Sequence, residues 1–212
     1  MRAVIFDMDG LMFDTEVLYD IARRTAACKF GYELSDDKMK FLRGANDSIQ
    51  IVHFQNWFGE DVPFAEIKNA HRSFMVDYLS SHDIPLKKGL FELLDALKNN
   101  KYSIAVATGS IRQNALQWLE KAGALPYLDV VVGGDEVTYG KPHPDIFLVA
   151  AQKMGIPIEE CFVLEDSFNG IRAAHTAGAT PIMIPDQDQP TEEIRSLCYR
   201  VLPSMTEMIE LL

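Results

Sequence analysis

Short runs of consecutive apolar residues alternate with longer amphipathic stretches over most of the chain. Ala3–Phe6, Ser103–Ala107, Val130–Val132, Cys161–Leu164 and Thr180–Ile184 each read as a buried strand, and Arg200–Leu202 as a short sixth. Apolar strands without polar alternation fit a parallel sheet covered by helices on both faces. Helical patterns fill the gaps. Leu90, Leu93, Leu94 and Leu97 follow Gly89; Ile111, Ala115, Leu116 and Leu119 run to Gly123; Ile146, Ala150 and Met154 run from Pro144 to Gly155; Ile171 and Ala174 stop at Gly178. Pro near a helix start and Gly past its end is the expected punctuation. A last helix is predicted to open at the capping box Ser204-Met205-Thr206-Glu207. Strand–helix alternation predicts an α/β fold, a doubly wound parallel sheet with right-handed crossovers.

Residues 14 to 84 break this rhythm. They offer helical stretches at Thr15–Lys29, Ser35–Arg43, Asp47–Phe58 and Pro63–Ser81, and no convincing strand. The predicted organisation is therefore an α/β core of residues 1–13 and 85–212, with an all-helical insert, 14–84, placed directly after the first strand. The insert is expected to form a small bundle over the loop end of the sheet.

Composition narrows the function classes. A chain of 212 residues, 48% apolar and 24% charged, is an ordinary globular chain and buries a core without disulfides. A formal charge of −11 argues against a nucleic-acid binder and against docking on an anionic membrane. Cys28, Cys161 and Cys198 are scattered and read as free thiols in a reducing compartment. The apolar run before Asp7, Ala3–Phe6, is four residues long, too short for a signal peptide, and no apolar run approaches the ~20 residues of a membrane span. A cytoplasmic, monomeric protein acting on a small molecule is the expectation.

Ligands of open parallel sheets bind outside the carboxyl ends of the strands. Asp7, Asp9 and Gly10 follow the first strand; Thr108, Gly109 and Ser110 the second; Gly133, Gly134, Asp135 and then Lys141-Pro142 the third; Glu165 and Asp166 the fourth. Asp7 and Asp9, two apart, send their side chains to the same side, roughly 6–7 Å apart along the chain. With Glu165 and Asp166 they gather carboxylates that repel one another unless a cation sits among them. Hard oxygen ligands without histidine or thiolate indicate Mg²⁺. Thr108, the backbone N–H groups of the Thr108-Gly109-Ser110 turn and Lys141 suit an anionic phosphoryl group. Each feature alone has a bland reading: a cap, a solvated turn, a surface lysine. All four together, in order at strand ends, indicate phosphoryl transfer through an aspartyl-phosphate.

Phe6-Asp7-Met8-Asp9-Gly10, Thr108-Gly109-Ser110, Gly140-Lys141-Pro142-His143-Pro144-Asp145 and Leu164-Glu165-Asp166-Ser167 with Gly170 resemble the four ordered motifs of the haloacid dehalogenase superfamily. They are most similar to its branch of sugar-phosphate phosphatases and β-phosphoglucomutases, whose cap domain matches the helical insert. The resemblance implies that Asp7 is the nucleophile and Asp9 the acid/base. It implies Mg²⁺ on the Asp7 carboxylate, the Asp9 carbonyl and Asp166, with Glu165 directly or through water. It implies that Thr108 and Lys141 hold phosphoryl oxygens. The cap is then expected to hinge near Phe13-Asp14-Thr15 and Ile84-Pro85 and to carry specificity on its inner surface, Arg43-Gly44-Ala45-Asn46 being the candidate patch.

Two other functions compete. A β-phosphoglucomutase-like phosphohexomutase shares the chemistry. In that branch a His stands where this chain has Tyr19, and an Arg gripping the distal phosphate aligns with Asp47; neither residue here suits the part, which favours a phosphatase. A phospho-accepting signalling domain uses similar groups, but carries its phosphorylated Asp on the third strand and no helical insert. Elsewhere the residues read as structural. His53 and His71 are predicted to be packing or surface groups, Trp57 and Trp118 core, Met205, Met208 and Ile209 one helix face, and Asp186 and Asp188 a solvated loop.

Overall fold

The structure is a computed structural model that describes residues 2–42, 45 and 47–212. Among the described residues, β1 (Ala3–Phe6), β2 (Ser103–Ala107), β3 (Val130–Val132), β4 (Cys161–Glu165), β5 (Thr180–Met183) and β6 (Arg200–Val201) form one sheet of order β3-β2-β1-β4-β5-β6. Every pairing is parallel. β1 lies between β2 and β4, with Phe6 opposite Val106 on one side and Leu164 on the other. The strand order reverses there, so the crevice of a doubly wound sheet falls at the carboxyl end of β1.

The chain divides into two compact units, Met1–Asp14 with Ile84–Leu212, and Thr15–Asp83. In the first, helices α5 (Leu90–Asn99), α6 (Arg112–Lys121), α7 (Asp145–Met154), α8 (Phe168–Ala177) and α9 (Glu192–Leu197) accompany the sheet. Ile5, Ala105 and Val163 pack with Ile146, Phe147 and Ala150 of α7 and Ala173 and Ala174 of α8 on one face. Gly89, at φ 86°, starts α5 in a conformation other residues resist, and a Cβ there would lie 2.8 Å from the Thr206 nitrogen. The last segment differs from the expected α-helix. Met205–Leu211 winds as a 3₁₀ helix, with Ser204 accepting from the Thr206 N–H. That tighter winding eclipses residues three apart, which puts Met205 and Met208 together in the core.

The second unit is all-helical among its described residues: α1 (Glu16–Lys29), α2 (Asp36–Leu42), α3 (Asp47–Phe58) and α4 (Phe64–Ser81). Ala26, Ala27, Leu34, Met39, Phe54, Phe64 and Ile67 make its core, with Trp57 packed against it. No described helix is long and apolar enough to cross a membrane, and the three cysteines are free thiols.

His71 is buried in this unit. Burial first, then the nearby Arg23, Lys68 and Arg72, pushes its pKa down from 6.5 to about 3. The unfolded chain therefore takes up a proton near pH 6.5 that the folded protein refuses, so stability falls as the pH drops below that value. The expected loss by about pH 4 is on the order of 3 kcal/mol from this group. Denaturant titrations of His71→Phe should give a flatter stability curve over that range; an unchanged slope contradicts the assignment.

Candidate active site

The acidic pair sits where β1 ends. The Asp7 N–H still donates to the Leu164 carbonyl at 3.0 Å, in line with the strand. The chain then turns tightly: Met12 and Phe13 both donate to the Met8 carbonyl, at 2.9 and 3.0 Å. Gly10 makes this turn possible at φ 86°, and a Cβ there would overlap the Asp166 carboxylate. Phe13 pairs with Leu86, and Asp14 N donates to Pro85 O at 2.8 Å, so the chain leaving for the helical insert and the chain returning from it are bonded together.

Past β2, Thr108 is buried and its N–H donates to Val132 O at 3.0 Å. Its hydroxyl accepts from the Ser110 N–H at 3.1 Å. Ser110 Oγ donates to Asp9 Oδ2 at 3.0 Å, and Thr108 Oγ1 reaches the same oxygen at 3.4 Å. Gly109 lies exposed at the tip of this turn.

Lys141 reaches inward from the loop after β3. Its ammonium bonds Asp7 Oδ1, Glu165 Oε1 at 2.6 Å and the Ala107 carbonyl at 3.2 Å, with the Phe147 ring centroid 5.0 Å away. Glu165 ends β4 with no exposed surface. Its second oxygen accepts from Ser167 N and Ser167 Oγ, both at 2.9 Å. Ser167 caps α8 by accepting from Gly170 N, and a Cβ on Gly170 would overlap the Glu165 carboxylate.

The electrostatics are short of positive charge. Burial raises the Asp7 pKa to about 8; Lys141 opposes this, while Glu165 and Asp9 add to it. Burial works against the Lys141 ammonium too, but Asp7 and Glu165 outweigh it and hold the lysine above its ordinary range. Ligand oxygens of Asp7, Glu165 and Asp166 lie within 4.8 Å of one another. Three clustered carboxylates, of which Lys141 bonds two, offer hard oxygen donors that fit a Mg²⁺ ion.

Asp7, Asp9, Thr108, Ser110, Lys141, Glu165 and Asp166 thus all belong to the first unit, at or just past the ends of β1, β2, β3 and β4. Of the Arg43-Gly44-Ala45-Asn46 patch, only Ala45 lies within the described residues; its carbonyl accepts from Gln50 Nε2 at 2.6 Å. The reading of Asp186 as solvated is corrected. Its side chain is 7% exposed and pairs with Lys87 at 2.5 Å, and Lys87 also reaches Asp14 at 3.0 Å. Sequence reading also missed the grip of Ser167 on Glu165. Ser167 stands beside Glu165-Asp166 in the sequence, but its bond to Glu165 depends on where β4 ends.

A carboxylate bonded to a lysine at the end of the central strand, with a second carboxylate two residues on, sets a nucleophile and a proton donor side by side. A family model described as haloacid dehalogenase-like hydrolase matches residues 4–184, and the chain belongs to that family. It is similar to the phosphorylated carbohydrates phosphatase of Thermotoga maritima, 32% identical over 84% of this chain and 82% of that protein. It is 35% identical, over 82% of this chain and 92% of the other, to the fructose-1-phosphate phosphatase of Escherichia coli. Among solved structures, CbbY from Rhodobacter sphaeroides in complex with xylulose 1,5-bisphosphate superimposes with a TM-score of 0.84, at 28% identity, covering 98% of this chain and 96% of that one. The protein is a phosphatase of the haloacid dehalogenase family.

Proposed function

We propose that this phosphatase is Mg²⁺-dependent and hydrolyses small phosphorylated metabolites, sugar phosphates foremost, through an aspartyl-phosphate on Asp7. The observation that carries the reading is the placement of Asp7 at the end of the central strand, bonded to Lys141, with Asp9 bonded to Ser110 and Thr108 on the next strand's turn. An Asp7 oxygen attacks phosphorus and the ester P–O bond breaks. Asp9 gives its proton to the leaving alkoxide. Water then attacks the phosphorus of the acyl phosphate, Asp9 takes a proton from that water, the P–O bond to Asp7 breaks, and phosphate departs. Lys141 and Thr108 supply donors for phosphoryl oxygens; Lys141 would exchange one of its present acceptors for such an oxygen.

Asp7 and Asp166, with the Asp9 carbonyl, are the residues we assign to Mg²⁺; Glu165, both oxygens already engaged, stands behind them. The ion supplies positive charge to the transferring phosphoryl group and to the nucleophile. The helical insert, entering and leaving at the lip of this site, serves as a cap that excludes water from the first step. Hydrolysis rather than transfer to a second sugar position is favoured by Asp47, which stands where the mutase branch has an Arg and pairs with Lys68 at 2.7 Å and Arg72 at 3.3 Å.

A panel of phosphorylated metabolites assayed for phosphate release tests the substrate class. Exhaustive chelation should abolish turnover, Mg²⁺ should restore it, and excess Ca²⁺ should inhibit, because Ca²⁺ accepts more oxygens in looser geometry. Mg²⁺ should also raise the melting temperature by binding the folded state alone. Full activity after chelation contradicts the metal assignment. With β-glucose 1-phosphate and a bisphosphate primer, isomer formation far outrunning phosphate release would promote the mutase.

A further inference from the structure

An ion triad beside the turn that carries Asp9 is left unused by the chemistry above. Lys87 sends its ammonium to Asp186 at 2.5 Å and to Asp14 at 3.0 Å. The three residues come from the chain returning from the helical insert, the loop after β5 and the chain leaving for the insert, and all belong to the first unit. The two arms differ. The Asp186 side chain is 7% exposed, and its Oδ2 is shielded from solvent with no hydrogen-bond partner among the described residues. Among those residues Asp186 pairs with no other cation, so without the ammonium it would be a buried charge lacking a counter-ion. Asp14 is half exposed, and its pair with Lys87 is the looser arm. Burial works against the ammonium, but Asp186 and Asp14 outweigh it and hold Lys87 above its ordinary range.

Backbone bonds carry this anchor to Asp9. Lys87 N donates to Met12 O at 3.0 Å and Asp14 N to Pro85 O at 2.8 Å, on either side of the Phe13–Leu86 pairing. Met12 and Phe13 close back on Met8 O, and Gly10 N donates to Phe13 O at 2.9 Å. Asp9 thus lies inside a turn whose outer end is fixed by the Lys87 segment. Its carboxylate accepts from the hydroxyls of Ser110 and Thr108. An acid that hands its proton to a leaving oxygen must share its carboxylate between that oxygen and those hydroxyls, so the backbone turn has to fix its place. A displacement of about 1 Å at such a group can cost about a hundredfold in rate.

We propose that Lys87 is a positioning residue for Asp9, pinning the turn from Met8 to Phe13 through its ion pairs with Asp186 and Asp14. The part of Asp9 as acid and base rests on the function proposed above; the pinning rests on the triad and the backbone bonds alone.

The test compares leaving groups on the full chain with Mg²⁺, in single turnovers with enzyme in excess. An alkyl phosphate needs a proton from Asp9 on its departing oxygen, whereas p-nitrophenolate leaves without one. Lys87→Met should slow cleavage of the best alkyl ester of the metabolite panel about tenfold more than cleavage of p-nitrophenyl phosphate. Loss of folded enzyme, or damage at Asp7, would slow both alike. Lys87→Arg, which keeps the charge, should recover part of the difference. Asp9→Asn is the control and should separate the two esters by about a hundredfold or more. Equal slowing of both esters by Lys87→Met, while Asp9→Asn separates them, overturns the proposal alone. Equal slowing in both variants overturns the acid role of Asp9 and the proposal with it. Should Lys87→Met fail to fold, Asp14→Asn on the half-exposed arm should show the same selectivity at smaller size, and equal slowing there overturns the proposal. Should the wild type cleave no alkyl ester, the metabolite reading fails and p-nitrophenyl phosphate alone decides. Phosphate release after the p-nitrophenolate burst, where Asp9 is the base, should then be about tenfold slower in Lys87→Met, and an unchanged rate overturns the proposal.

Discussion

Asp7→Asn should leave a folded protein whose turnover has dropped by at least about a thousandfold, because a covalent nucleophile has no substitute in a site built around it. The expectation starts from geometry. Asp7 ends the central strand, is nearly buried, and has one oxygen bonded to Lys141. An amide keeps that shape and loses only the nucleophilic charge. Stability should respond in the opposite direction. Burial lifts the Asp7 pKa from 3.8 to about 8, so over that range the folded protein holds a proton that the unfolded chain has released. Stability without divalent cations therefore falls as pH rises through that window, and Asp7→Asn should flatten the fall. Phosphate-release assays on protein free of wild-type contamination and of deamidation back to Asp, together with melting curves in chelator at several pH values, check both parts. Retention of more than about a few per cent of wild-type rate would falsify the covalent role.

Removing the lysine should damage both activity and stability. Lys141 is 13% exposed, and its partners Asp7 and Glu165 are 10% and 1% exposed at their side chains. Lys141→Met preserves bulk but leaves two buried carboxylates facing each other. Breaking a buried ion pair from one side typically costs about 3–5 kcal/mol, since the surviving charge loses its counter-ion without regaining water. Denaturant unfolding in chelator should show a loss of that order, and added Mg²⁺ should reduce it by standing in for the missing charge. Turnover should fall by at least about a hundredfold, through lost phosphoryl contact and a misplaced nucleophile. A loss below about 1 kcal/mol in chelator would mean that the carboxylates are neutralised by something other than this lysine.

Much of the architecture was legible because its signals are local. Strands such as Ala3–Phe6 and Val130–Val132 are short apolar runs, and helices such as Leu90–Asn99 carry their own spacing and punctuation. The family's motifs could be found for a related reason: Asp7 with Asp9, and Glu165 with Asp166, are each held within a few residues of one strand end. The C-terminal segment was placed correctly but wound differently, since the choice between α and 3₁₀ turned on how Met205 and Met208 reached the core. Asp186 was misread for a similar reason. Its partner Lys87 is ninety-nine residues away, and nothing in Asp186-Gln187-Asp188 announces it.

The sequence by itself determined which segments become strands and helices, that a helical insert follows the first strand, and which acids, hydroxyls and lysine stand at strand ends. Periodicity, caps and turns act over a few residues, and those are the lengths a single segment contains. Tertiary structure alone decided how these groups are paired. It set Lys141 between Asp7 and Glu165, turned Ser110 onto Asp9, backed Glu165 with Ser167, and buried the His71 nitrogens without a partner among the described residues. Hydrogen bonds and desolvation depend on distance in space. Residues brought together by a parallel sheet or a helix pair are tens of positions apart along the chain, where no local pattern connects them.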